Sequence, residues 1–296
     1  MERRSLPGVP QGTSVVGLAV DTMVAVGGLS GPAELGVGLL RRARALGITV
    51  FDAGTGSAAP VAERWIGRAV RPDDRDALVI TSLSSGPPED PQEGCRASAA
   101  RLGGRPIDLL MVPAREALDP RGLQRLTRLV EGGSVRSWGV ALGPQPSGLE
   151  ELRSLLESGV RTLKLPYSLL QREPAETILQ LAERHEVQCI VTDPFARGRL
   201  DGGSLRGGPL DPSHPPERME QLLREYAPVL ALAPLTVRHR RTLPQAALQF
   251  VLRSPSVAAV LVAPTGPDQL EPWARLEALP PLEGEELRPL TVRGKA

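Results

Sequence analysis

Four side chains in this sequence combine acid or base chemistry with a position in or just after a predicted strand. Asp52 ends the apolar run "ITVFD" and is followed by a loop of very small residues. Lys164, Tyr167 and Asp193 lie in two later runs of the same kind, "TLKLPY" and "QCIVTD". Lysine is scarce, because every other basic residue except Lys295 in the C-terminal tail is arginine. A buried lysine beside carboxylates can form an ion pair or act as a base or nucleophile.

Lys164 therefore has two interpretations. In the first, it forms a compensating ion pair with Asp52 and Asp193, because a buried ammonium is costly unless charged neighbours offset its desolvation. In the second, Lys164 is a Schiff-base nucleophile or general base, and Tyr167 and Asp193 carry protons in a non-redox reaction such as that of a lyase or isomerase. Of the two, the ion pair is the structural interpretation, and we favour it.

The composition limits the classes of protein and partner. The 296 residues, 41% of them hydrophobic, can bury a sizeable core. The 35 basic and 34 acidic residues are spread along the chain, so no basic stripe indicates nucleic acid. No apolar run is long enough for a membrane span, and the chain does not begin like a signal peptide. Cys95 and Cys189 stand at no metal-ligand spacing. We predict a cytoplasmic protein with a small-molecule ligand and no metal, nucleic-acid or membrane partner.

Short apolar runs alternate with amphipathic stretches along the whole chain, which is typical of repeated strand-helix units around a parallel sheet. Eight units in about 250 residues predict a closed (β/α)8 TIM barrel, with its site at the carboxyl ends of the strands. The predicted strands are Ser14 to Leu18, Ile48 to Asp52, Ala77 to Ser82, Ile107 to Val112, Val135 to Leu142, Thr162 to Tyr167, Gln188 to Asp193 and Ala258 to Ala263.

One segment interrupts this rhythm. Residues 199–241 contain two Gly-Gly pairs, many prolines and one predicted helix, Glu217 to Tyr226. We interpret the segment as an extended loop after strand seven, since the eighth unit must still close the barrel. The chain is therefore predicted to form one domain over residues 1–296. Within the segment, the run from Arg238 to Arg241 is predicted to be a solvated group of charges.

The order and spacing of six segments resemble the aldo/keto reductase family over nearly the whole chain. The resemblance implies a barrel and hydride transfer between NAD(P)H and a carbonyl, with a tyrosine as the proton donor. The six segments are "ALGITVFDAG", "GCRASAARLGGRPIDLLMV", "LVEGGSVRSWGVAL", "LPYSLLQREP", "DPFARGRLDGG" and "LPQAALQFVLRSPSVAAVLVAPTGPDQLE".

The resemblance also implies which catalytic positions have changed. The family aspartate corresponds to Asp52, but the tyrosine position holds Ser57, the lysine position Ser82 and the histidine position Pro113. A phenol is a poor acid at neutral pH unless a neighbouring cation stabilises the phenolate, and a serine hydroxyl is far less acidic still. Asp52 is then the remaining member of a proton relay, and Lys164 is the cation available to restore its charge balance.

The positions that hold the dinucleotide in the family are partly retained. Ala141, Leu142 and Lys164 stand where the family has polar partners for the nicotinamide carboxamide, and the adenosine-phosphate loop lacks its basic residue. Arg275 on the following helix could substitute for that residue, but we expect a solvated helix-face charge. The remaining candidates for binding NADP or NAD are Thr22, Gly198, Leu200 and Gln269.

These observations predict a small-molecule-binding pseudoenzyme or a non-redox enzyme built on an aldo/keto reductase-like barrel. The alternative is an NAD(P)H-dependent oxidoreductase that reduces a carbonyl with another proton donor, for example Tyr167. A third possibility, a regulatory or scaffolding subunit, has less support in the sequence.

Overall fold

The described structure covers most of the chain. It is a computed structural model and describes residues 1–25, 33–71, 73–74, 76–82, 91–143, 149–202, 215–237 and 241–291. In this part of the chain, no helix is both long and apolar enough to cross a membrane.

Eight parallel strands close into a barrel. Every predicted strand overlaps one of them, so the TIM-barrel prediction is confirmed. All six residues of the last strand, "VAAVLV", are buried, as expected for a strand covered on both faces. The strands are β3 (Val16–Ala19), β4 (Val50–Asp52), β5 (Leu78–Ser82), β6 (Ile107–Pro113), β7 (Val135–Ala141), β8 (Thr162–Pro166), β9 (Gln188–Thr192) and β10 (Val257–Val262). They follow one another around the barrel in the order β10-β3-β4-β5-β6-β7-β8-β9.

An N-terminal hairpin precedes the barrel, and the sequence analysis did not predict it. Its strands β1 (Arg3–Leu6) and β2 (Val9–Ser14) pair antiparallel, with Gly8 in the turn at φ +80°. Leu6 is buried in the cluster of apolar side chains that β4, β5, β6, β9 and β10 contribute. Arg4 donates hydrogen bonds to the carbonyls of Leu252 (2.7 Å) and Val257 (2.8 Å), which precede or begin β10. The hairpin therefore packs against the amino-terminal end of the barrel and leaves the carboxyl end free.

Helices alternate with the barrel strands. Their ends show ordinary capping: the helix that begins at Leu243 has a capping box between Thr242 and Gln245, and the helix that begins at Pro120 has Asp119 as its N-cap. The helices are α1 (Val20–Ala25), α2 (Ala33–Ala45), α3 (Ala59–Ala69), α4 (Pro91–Arg101), α5 (Ala114–Leu118), α6 (Pro120–Glu131), α7 (Leu149–Glu157), α8 (Ala175–Arg184), α9 (Pro216–Leu230), α10 (Pro234–Val237), α11 (Leu243–Leu252), α12 (Leu270–Ala274) and α13 (Gly284–Thr291), with 3-10 turns at Gly56–Ala58, Pro267–Gln269 and Leu276–Ala278.

The long segment between β9 and α11 is only partly described. Residues 203–214 and 238–240 lie outside the described part, including most of the predicted charge run. Arg241 is described, and the prediction that it is solvated is wrong. Its side chain is buried, bonds to Glu286 Oε1 at 3.2 Å and donates to the carbonyl of Pro280 at 3.2 Å. Arg241 thus ties the start of α11 to the C-terminal part of the chain.

Candidate active site

A cavity of about 650 Å³ opens at the carboxyl ends of the barrel strands. Its volume lies within the range of about 300–1,000 Å³ that is usual for small-molecule sites. The helix-forming stretches after β3 and β10 and the loop after β9 supply its walls. The strand residues that line it are Ala19, Asp52, Ser82, Ala141, Lys164, Thr192, Leu261 and Val262.

Lys164 and Asp52 form an ion pair inside the barrel. In the barrel order β8 lies four strands from β4, so the two side chains meet across the interior. Lys164 Nζ lies 2.9 Å from Asp52 Oδ2 and donates a second hydrogen bond to Ser82 Oγ at 3.0 Å. The other carboxylate oxygen, Asp52 Oδ1, accepts from the Gly54 amide at 2.9 Å. The side chains of Lys164 and Asp52 are 11% and 4% exposed, so the pair is largely desolvated.

This geometry fits the ion-pair interpretation of Lys164. An ammonium that donates to a carboxylate has no free electron pair, so it must lose a proton before it can attack a carbonyl. Ser82, at the position that the resemblance assigns to the family lysine, accepts a bond from the lysine of another strand. The cation beside Asp52 is therefore supplied by β8, not β5.

Asp193 does not pair with Lys164. Among the described residues, the salt bridge that Lys164 forms is with Asp52 alone. Asp193 directly follows β9 with φ +53°, and its Oδ1 accepts from the Arg197 amide at 2.6 Å. Burial raises the pKa of Asp193, while the hydrogen bond and charge of Arg197 lower it. The prediction that Asp193 compensates Lys164 is corrected: Asp193 lines the cavity but stabilises its own loop.

Tyr167 is not among the residues that line the cavity. Its hydroxyl donates to Glu176 Oε1 at 3.3 Å, and its ring packs on Phe250 at a centroid distance of 5.2 Å. Burial, followed by the negative charge of Glu176, raises the pKa of Tyr167 above its ordinary value. The sequence analysis made Tyr167 a candidate proton carrier, because it ends the predicted strand Thr162 to Tyr167. The structure turns its side chain toward α8 and α11 instead.

The candidate dinucleotide-binding residues divide into two groups. Thr22, Gly198 and Gln269 line the cavity. Gln269 Oε1 accepts from the Thr265 amide at 2.7 Å, which orients the loop after β10. Leu200 is fully buried and does not line the cavity, so it supports the loop after β9 from within the core.

Arg275, the alternative base for a 2′-phosphate, pairs with Glu271 one helical turn away at 2.9 Å. It is about two-thirds exposed, as expected for a helix-face charge. Phe195 and Trp273 form an aromatic wall of the cavity, with ring centroids 5.1 Å apart.

The positions that the resemblance assigns to the tyrosine and histidine do not line the cavity. Ser57 is exposed in the 3-10 turn that follows Gly54, and Pro113 ends β6. The chain has two tyrosines: Tyr167 packs as described above, and Tyr226 lies on α9 near the guanidinium of Arg199. Neither is a cavity residue. Within the described residues, no group of three or more His, Cys, Asp or Glu could hold a metal ion.

Asp21 is a cavity residue that the sequence analysis missed. It lies in the first turn of α1, directly after β3, and lines the cavity with Asp52 and Lys164. Its Oδ1 accepts from the amide and hydroxyl of Thr22 at 2.7 and 3.3 Å. Burial and then the charge of Asp52 raise the pKa of Asp21, while Thr22 and Lys164 lower it. The signal was present in "GLAVDT", where an acid follows a strand end as Asp52 does.

The closed parallel barrel with a cavity at its carboxyl end defines a (β/α)8 barrel protein, and the volume of the cavity is in the range usual for small-molecule sites. The sequence model described as the aldo/keto reductase family matches residues 30–291. The chain therefore belongs to the aldo/keto reductase family, as the resemblance predicted.

Curated relatives are moderately similar. The chain is 26% identical over 192 residues to the NADH-specific methylglyoxal reductase of Escherichia coli (strain K12), a match that covers 62% of this chain and 58% of that protein. It is 24% identical over 254 residues to the aldo-keto reductase YhdN of Bacillus subtilis (strain 168), covering 78% and 75%. The match thus spans less than two-thirds of the first relative's length.

Solved structures share the fold over the full chain. The holo form of aldo-keto reductase AKR11C1 from Bacillus halodurans superposes with a TM-score of 0.77 at 22% identity, covering 99% of this chain and 96% of that chain. An aldo-keto reductase from Klebsiella pneumoniae in complex with NADPH gives a TM-score of 0.71 at 20% identity, covering 99% and 95%. At this level of identity, the similarity establishes the barrel, and function must be argued from the site.

Proposed function

We propose that the cavity binds a small molecule and that the protein has lost the ordinary carbonyl reduction of its family. The observation that carries this proposal is the pairing of Asp52 with Lys164, while both tyrosines of the chain pack elsewhere. A pseudoenzyme that binds a ligand is the form we favour. The non-redox form, in which Lys164 is a nucleophile, requires the ammonium to leave Asp52 and lose its proton first. We also propose a cytoplasmic location, and the two buried cysteines without a disulfide are consistent with it.

We expect the wild-type protein to reduce simple aldehydes poorly. Loss of a positioned general acid lowers a rate by about 10²- to 10⁴-fold, because the alkoxide must find its proton elsewhere. Consumption of NADPH or NADH with methylglyoxal should therefore be at least about 10²-fold slower than by the Escherichia coli relative assayed in parallel. A rate equal to that of the relative would overturn the proposal.

The alternative function is an NAD(P)H-dependent oxidoreductase with another proton donor. Gly198, Gln269 and the ring of Trp273 line one side of the cavity and fit the pyrophosphate and adenosine of a dinucleotide. At the strand ends, where the family binds the nicotinamide carboxamide, the methyl group of Ala141 can form no hydrogen bond with it. The Lys164 ammonium can donate only to the oxygen of the carboxamide. The residues therefore fit a dinucleotide, more fully at the adenosine side. When bound, its reduced nicotinamide would supply the hydride.

Tryptophan fluorescence tests this alternative. Trp273 lies in the cavity wall, so NADPH or NADH bound against it should quench its emission at micromolar concentrations, and Trp273→Phe should abolish most of the change. Trp65→Phe is the matched control, because Trp65 packs beneath Gly36 of α2 and is not a cavity residue. The absence of quenching by both nucleotides would rule out the oxidoreductase and leave the binding of another small molecule.

A further inference from the structure

Asp21 is a cavity carboxylate with one oxygen for which the described residues supply no donor. Thr22 donates twice to Oδ1, and no hydrogen bond to Oδ2 is found among the described residues. Oδ2 packs against Gly54, the residue whose amide holds Asp52. A Cβ at Gly54 would overlap Asp21 Oδ2, so this close approach depends on glycine. Asp21 and Asp52 thus both contact Gly54.

Among the described residues, the ammonium near these two carboxylates is that of Lys164, and it already has two hydrogen-bond partners. Lys164 donates to Asp52 and to Ser82, and it reaches Asp21 through its charge only. Two carboxylates beside one ammonium leave an excess negative charge in a partly buried site, and binding one proton removes it. Asp52 already accepts a hydrogen bond from the Lys164 ammonium and Asp21 does not, so this proton belongs to Asp21, whose pKa burial and then the charge of Asp52 raise.

The other charged groups described near α1 do not satisfy Asp21. Helix α3, which packs against α1, carries three of them. Glu63 is paired with Arg101, Arg68 is paired with Glu34, and Arg64 is exposed. The 3-10 turn at Gly56–Ala58 has no charged residue. The charges that act on Asp21 are therefore those of Asp52 and Lys164.

We propose that Asp21 is the general acid–base group of the cavity and that it delivers a proton to a carbonyl oxygen of the bound molecule. The O–H bond of the Asp21 carboxyl breaks as a new O–H bond forms on the ligand oxygen. The carboxylate that remains is stabilised by the Thr22 amide and the Lys164 charge, and water returns the proton. In a reduction, a reduced nicotinamide nucleotide supplies the hydride to the carbonyl carbon, and the carbonyl is reduced to an alcohol.

This inference rests on the proposal that the cavity binds a small molecule, and it names the donor for the oxidoreductase alternative. The chemical class of ligand that fits is a neutral carbonyl compound, since its oxygen accepts a hydrogen bond from a protonated carboxyl and adds no charge to the cluster.

Infrared spectroscopy of the full-length protein tests whether Asp21 holds the proton. A protonated-carboxyl band should be present in mildly acidic buffer in the wild type and in Asp73→Asn, and it should be lost in Asp21→Asn. Asp73 is an exposed aspartate before β5, at the far end of the barrel, so it is a matched control for the same substitution. Thr22→Val, which removes one donor to Oδ1, should move the midpoint of the band to higher pH. A band unaffected by both Asp21→Asn and Thr22→Val would overturn the proposal.

Stability as a function of pH gives a second readout. A carboxyl whose pKa is raised by folding binds its proton more tightly in the folded state, so unfolding releases protons and the free energy of unfolding falls as pH rises. This fall should lie between the ordinary pKa of an aspartate and the raised value in the folded protein. Asp21→Asn should remove the fall, and Asp73→Asn should keep it. The same pH profile in all three proteins would contradict a proton on Asp21.

Turnover tests whether the proton reaches a ligand. With methylglyoxal and NADPH or NADH, the slow reduction by the wild type should fall by about tenfold or more in Asp21→Asn, in keeping with the lower range for a general acid. An unchanged rate in Asp21→Asn, or a wild type that shows no turnover, would overturn the transfer step, and the second result would support the pseudoenzyme over the oxidoreductase alternative. Fast reduction by the wild type would instead contradict the proposed function, which is that ordinary carbonyl reduction has been lost.

Discussion

Lys164→Met is expected to lower the free energy of unfolding by about 3 kcal/mol, because it leaves the buried carboxylate of Asp52 without its cation. Breaking a buried pair from one side costs about 3–5 kcal/mol, and the lower end applies here because the cavity admits water to Asp52. Methionine keeps most of the volume of the lysine stem, so the effect reports charge more than packing. Urea denaturation at neutral pH is the measurement.

Two further variants show whether the broken Lys164–Asp52 ion pair causes the loss of stability. Lys164→Met combined with Asp52→Asn removes both charges and should recover much of the lost stability, since the amide oxygen of the substituted side chain can still accept from Gly54. Arg275→Met breaks the exposed pair with Glu271 and should cost less than about 1 kcal/mol. Unchanged stability together with unchanged ligand binding in Lys164→Met would contradict both the ion-pair and the catalytic interpretations.

Gly54→Ala is expected to have the second large effect, because two penalties add. Gly54 has φ +66°, a conformation that costs a residue with a side chain about 1–3 kcal/mol. The new methyl would also overlap the Asp21 carboxylate, and such overpacking costs about 1–3 kcal/mol more. The free energy of unfolding should fall accordingly, and the carboxyl band of Asp21 should shift as the side chain is displaced.

Gly56→Ala separates the two penalties. Gly56 has φ +74°, but a Cβ there would meet nothing within 4 Å, so only the backbone penalty applies. Adding Asp21→Gly to Gly54→Ala should recover the overlap penalty alone and leave a cost close to that of Gly56→Ala. Equal costs for Gly54→Ala and Gly56→Ala would show that Asp21 does not lie against Gly54.

The barrel was predictable because its signals are local. A strand buried on both faces must be apolar along its length, and an amphipathic helix must follow it to cover the sheet, so each unit carries its own pattern. Family resemblance then supplied the order of the units. The N-terminal hairpin escaped prediction because "VPQGTS" has neither an apolar run nor a clear alternation. Arg241 escaped because burial of an arginine depends on a partner 45 residues away, Glu286.

The sequence by itself determined which side chains are available to this protein. It has two tyrosines and, besides the lysine in its tail, only Lys164 as a lysine, and the resemblance assigns none of these residues to the family's catalytic tyrosine and lysine positions. The acid at the end of the second barrel strand was also identifiable, because strand ends of a parallel barrel open on one face.

Tertiary structure decided which of these side chains meet. Lys164 reaches Asp52 over 112 residues of sequence because opposite strands of a closed barrel point their inward side chains at one another. Tyr167 is three residues from Lys164, yet its ring turns away to pack on Phe250. Asp21 enters the site because Gly54 leaves room for its carboxylate. Distances through space depend on barrel closure and on side-chain packing, and a linear pattern contains neither.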